Sequence, residues 1–208
     1  MVREYKTIKQ QSQARFTEKK SEFIGYASPV QTEENAITFI ESIKSMHRRA
    51  KHNVYAYSIR ENNIIRYSDD GEPQGTAGVP VLDMMRKNDI TDTVIVVTRY
   101  FGGILLGTGG LVRAYSQAAK FALENGLITT MRYFSNLSIV CEYSVFGKIS
   151  ALILNFSGFI DDTAFSDIVS VKCHIPIENV KSLFEKIREA TGGNAIISTM
   201  GESFYPTS

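Results

Sequence analysis

TVIVVTRYFGGILLGTGGLVRAYSQAAKFAL, residues 93–123, holds a β-branched run, a loop with two glycine pairs and an amphipathic helix. It contains no Asp or Glu, and its only charges are Arg99, Arg113 and Lys120. Val94 to Val97 form a continuous apolar run of strand length, the pattern of a strand buried on both faces. From Gly109 to Asn125 the residues Leu111, Val112, Tyr115, Ala118, Ala119, Ala122 and Leu123 recur at helical spacing. Asn125-Gly126 is read as a left-handed stop.

Glycines at 102, 103, 107, 109 and 110 let backbone approach itself or a ligand, and a helix N-terminus behind them directs N–H groups at an anion. Arg113, about one turn into that helix, opposes the macrodipole by roughly 0.3 to 1 kcal/mol, a conflict that a bound anion removes. Two readings of the stretch stand side by side. In one, Gly102, Gly103, Gly107, Gly109, Gly110, Arg99 and Arg113 bind phosphate. In the other, the glycines permit tight packing and Arg113 pairs with a carboxylate. No Gly-Lys-Ser/Thr follows, and Gly107-x-Gly109 lacks a third glycine at Val112, so neither a P-loop nor a dinucleotide fingerprint is present.

Outside that stretch, the 208 residues suffice for one large domain or two small ones, and 43% apolar with 22% charged residues is ordinary for a globular chain. No apolar run approaches the ~18 residues of a membrane span. The opening REYKTIKQQSQARF is polar, so neither a span nor a signal peptide is expected. Cys141 and Cys173 lack metal-ligand spacing and lie in apolar alternation, which reads as two buried free thiols in the cytoplasm. Charge is uneven: 18 Lys or Arg against 14 Asp or Glu up to residue 132, and 5 against 8 after it. A mildly basic first part suits a phosphate-bearing partner.

In chain order, two extended segments flank a polar turn at Lys19 to Glu22. Thr32 caps a helix that opens with Glu33 and Glu34 and ends near His47. HRRAKH follows, either a solvated helix end or a basic patch in which Lys51 meets phosphate. Asn53 to Arg60 alternates and pairs with Ile64 to Tyr67 in a hairpin. YSDDGEPQGTAG, Tyr67 to Gly78, is dense in turn formers and acids. Asp69, Asp70 and Glu72 read as turn builders rather than metal ligands, so no metal site is assigned. This loop is expected beside the glycine loop, with Asp70 meeting Arg99 or Arg113. Pro80 opens a short helix closed near Asn88.

After Gly126 the pattern changes. Leu127 to Tyr133 reads as a mixed connection. Beyond it come a strand through Leu137, Ile139 and Cys141, a helix from Val145 to Phe156 and a strand through Ile160. A strand from Ile168 to Ile175, a helix from Val180 to Ala190 and a strand from Ala195 to Met200 complete the set. That order is β-α-β-β-α-β, ferredoxin-like. The expected division is therefore 1–132 and 133–208. Lys172 and His174 fall on the face away from the helices, and since no stacking aromatic is evident beside them, that face is assigned to intramolecular or protein contact rather than RNA. No His-Glu-x-x-His, no Gly-x-Ser-x-Gly and no electropositive cysteine loop is present, so catalytic residues stay unassigned and no cofactor is called for.

YSDDGEPQGTAGVPVL (Tyr67 to Leu82) followed by VIVVTRYFGGILLGTGGLVRAYSQAA (Val94 to Ala119) resembles the YigZ/IMPACT family along the whole chain, and the ferredoxin-like tail resembles its bacterial branch. The resemblance implies an α+β protein of two domains. The first would be a left-handed β-α-β fold of the ribosomal-protein/elongation-factor-domain-IV type, the second a ferredoxin-like domain similar to one in translocase elongation factors. Its motif residues here are Asp69, Asp70, Gly71, Glu72, Pro73, Gly75 and Gly78, then Arg99, Tyr100, Phe101, Gly102, Gly103, Gly107, Gly109, Gly110 and Arg113. Eukaryotic IMPACT proteins are linked to translational control through a partner of an initiation-factor kinase; the partner-binding domain they carry has no counterpart in this sequence. The favoured expectation is a cytoplasmic translation-associated binding protein, with Lys51, Arg99, Arg113 and the glycine loop on RNA or ribosomal phosphate. An enzyme acting on a phosphorylated small molecule or nucleotide, with Asp69 or Asp70 as base or metal ligand, and a protein-interaction module are the alternatives.

Overall fold

The computed structural model describes residues 3–207. The chain forms an α+β protein of two compact units, Tyr5–Thr130 and Met131–Thr207, the second also taking in residues 3–4. Strands β1 (Glu4–Ile8) and β7 (Ile128–Cys141) are the segments that pass from one unit to the other.

In the N-terminal unit β2 (Ser12–Glu18), β3 (Ser21–Pro29), β4 (His52–Ile59), β5 (Ile64–Ser68) and β6 (Thr93–Tyr100) form an antiparallel sheet of order β2-β3-β6-β4-β5. β6 is central, which is why its sequence is apolar without alternation. Val94 and Val96 pack with α1 (Glu33–Met46) on one face, and Ile95 and Val97 pack with α2 (Gly78–Lys87) and α3 (Thr108–Asn125) on the other. Each such side chain contributes about 1.5 to 3 kcal/mol by leaving water. The Lys19–Lys20 turn between β2 and β3 has two positive φ angles, 45° and 65°, as a tight hairpin turn requires.

Helix ends follow local chemistry. Thr32 Oγ1 accepts the Asn35 N–H at 3.2 Å, and Glu33 and Glu34 occupy the first turn of α1. α2 begins two residues ahead of Pro80, because Asp69 reaches across the loop to cap it. Asp69 Oδ1 accepts from the N–H groups of Ala77 at 3.0 Å and Gly78 at 2.8 Å, and Oδ2 from Gly75 at 2.9 Å. The left-handed residue after α3 is Leu127 (φ 59°), not Gly126, which stays right-handed at φ −73°. Glycine at 126 gives Ile8 room, since a Cβ there would lie 3.0 Å from Ile8 Cδ1 and the isoleucine would have to shift.

In the C-terminal unit β8 (Phe159–Phe165), β9 (Val169–Pro176) and β10 (Ile196–Pro206) complete an antiparallel order β10-β7-β9-β8, with α4 (Tyr143–Asn155) and α5 (Val180–Thr191) as the connections. This is the expected β-α-β-β-α-β sequence. Leu137, Ile139, Val171 and Ile175 meet Ile149, Ile153, Leu183 and Ile187 in one core, and Cys141 and Cys173 lie in it as free thiols. Burial raises both thiols, Cys173 to about 12.

Three expectations for this unit change. Residues 128–133 are strand, the opening of β7, rather than a connection. The last strand runs on to Pro206, past an irregularity between Thr199 and Gly201 that takes Gly201 to φ 126°. The Lys172 and His174 face does carry aromatics. Phe159 lies opposite His174 in the register and stacks on it at 5.0 Å, and Tyr205 stacks on the same imidazole at 4.0 Å. Both rings come from the outer strands, so β9 alone gave no sign of them.

Candidate functional site

Arg99, the penultimate residue of β6, lies opposite Phe23 of β3 and His52 of β4 in the strand register, so the three side chains share the face that carries α2 and α3. Its side chain is 6% exposed, and Nη1 donates to Glu72 Oε1 at 2.6 Å. The rings of Phe23 and Phe101 lie 5.5 Å from its Cζ, within cation–π range. Its Nε is buried without a hydrogen-bond partner. Buried donors of this kind are rare and call for a reason.

Glu72 reaches Arg99 from the loop between β5 and α2 that Asp69 folds. Its side chain is 4% exposed, and Oε1 accepts a second hydrogen bond, from Tyr115 Oη of α3, at 2.7 Å. Burial, then the Glu72 charge, pushes the Tyr115 hydroxyl far above the usual phenol range, which keeps it a donor. Removing one partner of such a buried pair costs about 3 to 5 kcal/mol, because the other charge stays behind uncompensated.

His52 completes the group. Its Nδ1 lies 2.8 Å from the Asp70 carbonyl oxygen, which can only accept, so Nδ1 carries the proton of that bond. Nε2 then stands 4.0 Å from Glu72 Oε1. Asp70 Oδ2 accepts the Asn53 N–H at 2.6 Å, and Asn53 Oδ1 accepts from Thr98 Oγ1 at 2.7 Å. The two motif loops therefore touch, through Glu72 and not through Asp70. Asp69 accepts backbone N–H groups through both carboxylate oxygens and Asp70 through Oδ2. Among the described residues no group of three or more His, Cys, Asp or Glu is arranged to hold a metal ion.

A cavity of about 410 Å³ opens beside this group, lined by Lys51, His52, Glu72 and Arg99, with Phe101, Leu105, Leu106 and Leu111 among its apolar walls. Pro73, Gly107 and Thr108 also border it. Gly107 precedes α3 at φ 72° with no side-chain cap, so the first N–H groups of α3 begin at the cavity wall.

The residues singled out from sequence are dispersed by the fold. Lys51, Glu72, Pro73, Arg99 and Gly107 meet at this cavity. Gly110 and Arg113 line a second, smaller cavity of about 130 Å³ with Glu18 and Lys19. Gly102 is a packing residue, since a Cβ there would stand 1.9 Å from the backbone of Lys20. Gly103 is exposed at φ 86°, and Gly109 lies in the first turn of α3. Asp69, Gly75 and Gly78 belong to the cap of α2, and Asp70 and Gly71 support the His52 ring. The roles of His52 and Tyr115 were missed from sequence. The signal for His52 is its register opposite Arg99, which exists only once the strands are paired.

His47 from the same basic run turns inward at the end of α1. Its Nε2 lies 2.6 Å from Tyr26 Oη and its Nδ1 2.8 Å from Tyr100 Oη. Burial, with the Arg15 charge adding, holds its pKa below the usual imidazole value.

The chain as a whole is similar to known proteins. Residues 19–123 match the family described as Impact N-terminal domain, and residues 139–194 match a domain of unknown function, DUF1949. The chain is 36% identical over 206 residues to IMPACT family member YvyE of Bacillus subtilis (strain 168), covering 99% of this chain and 94% of that one. It is 34% identical to IMPACT family member YigZ of Escherichia coli (strain K12), over 85% of this chain and 88% of that one. Protein IMPACT homolog of Dictyostelium discoideum is 41% identical over 96 residues, 44% of this chain and 27% of that protein. A crystal structure described as a hypothetical protein superposes with a TM-score of 0.62 at 28% identity, covering 97% of this chain and 99% of that one.

Proposed function

The chain belongs to the IMPACT family, and from that premise we propose that its N-terminal unit is a cytoplasmic, translation-associated RNA-binding module. The observation that carries this reading is the charge at one end of the sheet. Lys19 and Lys20 on the β2–β3 turn, Arg48, Arg49 and Lys51 between α1 and β4, and Arg113 on α3 are all exposed. The acids of the adjoining loop, Asp69, Asp70 and Glu72, are turned to internal partners. The result is a cationic rim suited to a phosphate backbone. Phe101 and Leu105, 48% and 82% exposed, stand on the glycine loop beside it and offer apolar surface to unstacked bases. In this reading Lys51, Arg113 and the backbone of the loop from Gly103 to Gly110 contact phosphate, while buried Arg99 holds Phe101 and the cavity wall.

The test is co-sedimentation with ribosomes and with tRNA across a salt series, for the native chain and for the Lys51→Ala/Arg113→Ala variant. Binding that weakens steeply with salt, with a slope about two units shallower in the variant, is expected. Absence of binding at low salt, or a slope that the variant leaves unchanged, overturns the proposal. Arg99→Ala is unsuited to this test, because it strands Glu72 in the core.

A further inference from the structure

We infer that the C-terminal unit pairs with a second copy of this chain through the outer edge of β10, in an antiparallel two-fold contact that continues the sheet from one molecule into the next. A strand at the end of a sheet leaves alternate N–H and C=O groups unpaired, and proteins protect such edges with charge, proline or bulges. The other strands at sheet ends here all carry charge: Glu4 and Lys6 on β1, Arg15 and Glu18 on β2, Arg66 on β5, Asp161 and Asp162 on β8. β8 is also irregular between Ile160 and Asp162. β10 differs. From Ile196 to Met200 it reads IISTM, uncharged and rich in β-branched residues, and its register with β7 is unbroken from Ile196 to Thr199. Ile196 and Met200 are 65% and 66% exposed, and Ser198 and Thr199 between them are exposed as well. Such an edge is open for another strand to join.

The groove alongside decides which strand joins. It has a volume of about 1040 Å³ and lies between α5 and the start of β10, with Phe184, Ile187, Ala195 and Ile197 as apolar lining and Glu185 and Arg188 of α5 beside them. A strand added to β10 directs alternate side chains to the helix-covered face of the sheet, where this groove receives them. Glu185 and Arg188 are exposed, and among the described residues neither takes part in an ion pair, whereas Lys186 and Glu189 next to them hold each other at 2.8 Å. One acid and one base, both unspent and one helical turn apart, suit a self-complementary contact. Antiparallel pairing of β10 with its copy sets the two α5 helices antiparallel, so that Arg188 of each molecule meets Glu185 of the other. A basic or an acidic peptide would answer one of these charges and confront the other with its like. A second copy answers both, and does so twice.

The experiment is sedimentation equilibrium of the full chain from micromolar to millimolar concentration, repeated on Thr199→Lys, Arg188→Glu and the double variant Glu185→Arg/Arg188→Glu, all of them changes at exposed positions. A reversible monomer–dimer equilibrium is expected. Thr199→Lys places on β10 the charge that the other edges already carry, and it should abolish the dimer while the monomer stays folded. Arg188→Glu should weaken association about tenfold, because only acids then face one another, and the charge-swapped double variant should recover to within about twofold of the native chain. Amide exchange in the native chain should slow with rising protein concentration at Ile196 to Thr199 and stay constant in β8. A chain that is monomeric at millimolar concentration, a dimer that Thr199→Lys leaves intact, absence of recovery in the double variant, or protection that falls elsewhere than β10 overturns the proposal. None of these residues belongs to the cationic rim of the N-terminal unit, so this inference and the RNA reading stand or fall separately.

Discussion

Single side chains in this protein are set by partners far away in sequence. His47 is the clearest for its effect on stability. Its ring lies between two tyrosine hydroxyls, and burial lowers its pKa, so below about pH 6.5 the unfolded chain binds a proton that the folded one resists. The unfolded state then holds more protons, so stability rises with pH across this window. The contribution is present above about 6.5 and is lost as pH falls from there toward the lowered folded value. Urea midpoints of native protein and His47→Gln from pH 7.5 to 5 should converge as pH falls, and parallel curves would refute the assignment. Neither this network nor Glu72 with Arg99 was legible in the sequence. Residues 72 and 99 are brought together by a strand order, and an acidic loop of turn formers gives no sign of which acid turns inward.

At the level of elements the sequence was read more successfully where local chemistry decides. The Thr32 cap, the two-faced burial of β6 and the amphipathic α3 all stand as their spacing predicts. It was read less well where an element depends on a distant group. α2 starts at Gly78 because Asp69, nine residues earlier, supplies acceptors for its first N–H groups. Asp69→Ala should therefore cost about 2 kcal/mol, the upper end for loss of a helix cap. It should also speed amide exchange at Gly75, Ala77 and Gly78, while Asp69→Asn, which keeps one acceptor oxygen, loses less. Unchanged exchange at those three amides would show that the cap is incidental. β10 escaped full recognition for a related reason: Gly201, Glu202 and Ser203 interrupt its apolar pattern, and its partner is β7, more than fifty positions away.

For the whole molecule, division into two units is paralleled by cores that share no residue: two clusters flank the N-terminal sheet and a third fills the C-terminal unit. Chains with separate cores commonly depart from a single two-state transition. Ile153→Ala, at a fully buried position in α4, should cost about 2 to 5 kcal/mol. Its effect on hydrogen exchange should fall on β8, β9 and the later part of β7, leaving β3 and β6 at native rates. Equal acceleration in β6 would mean that the molecule opens as one block. The charge asymmetry visible in the sequence follows the same division, with the cationic loops in the first unit.

The crossing of β1 and β7 between units bears on how the protein is made. The Tyr133 N–H donates to the Arg3 carbonyl oxygen at 2.8 Å, so a residue near the start of the chain finds its partner 130 positions later. At about 5 to 20 residues per second, that partner is synthesised some 6 to 26 seconds after Arg3. During vectorial synthesis Arg3 waits for that partner, whereas Tyr5–Ile8 belong to the N-terminal unit and Ile8 joins its core. The bond between Arg3 and Tyr133 is thus a later event of elongation than assembly of the core around Ile8.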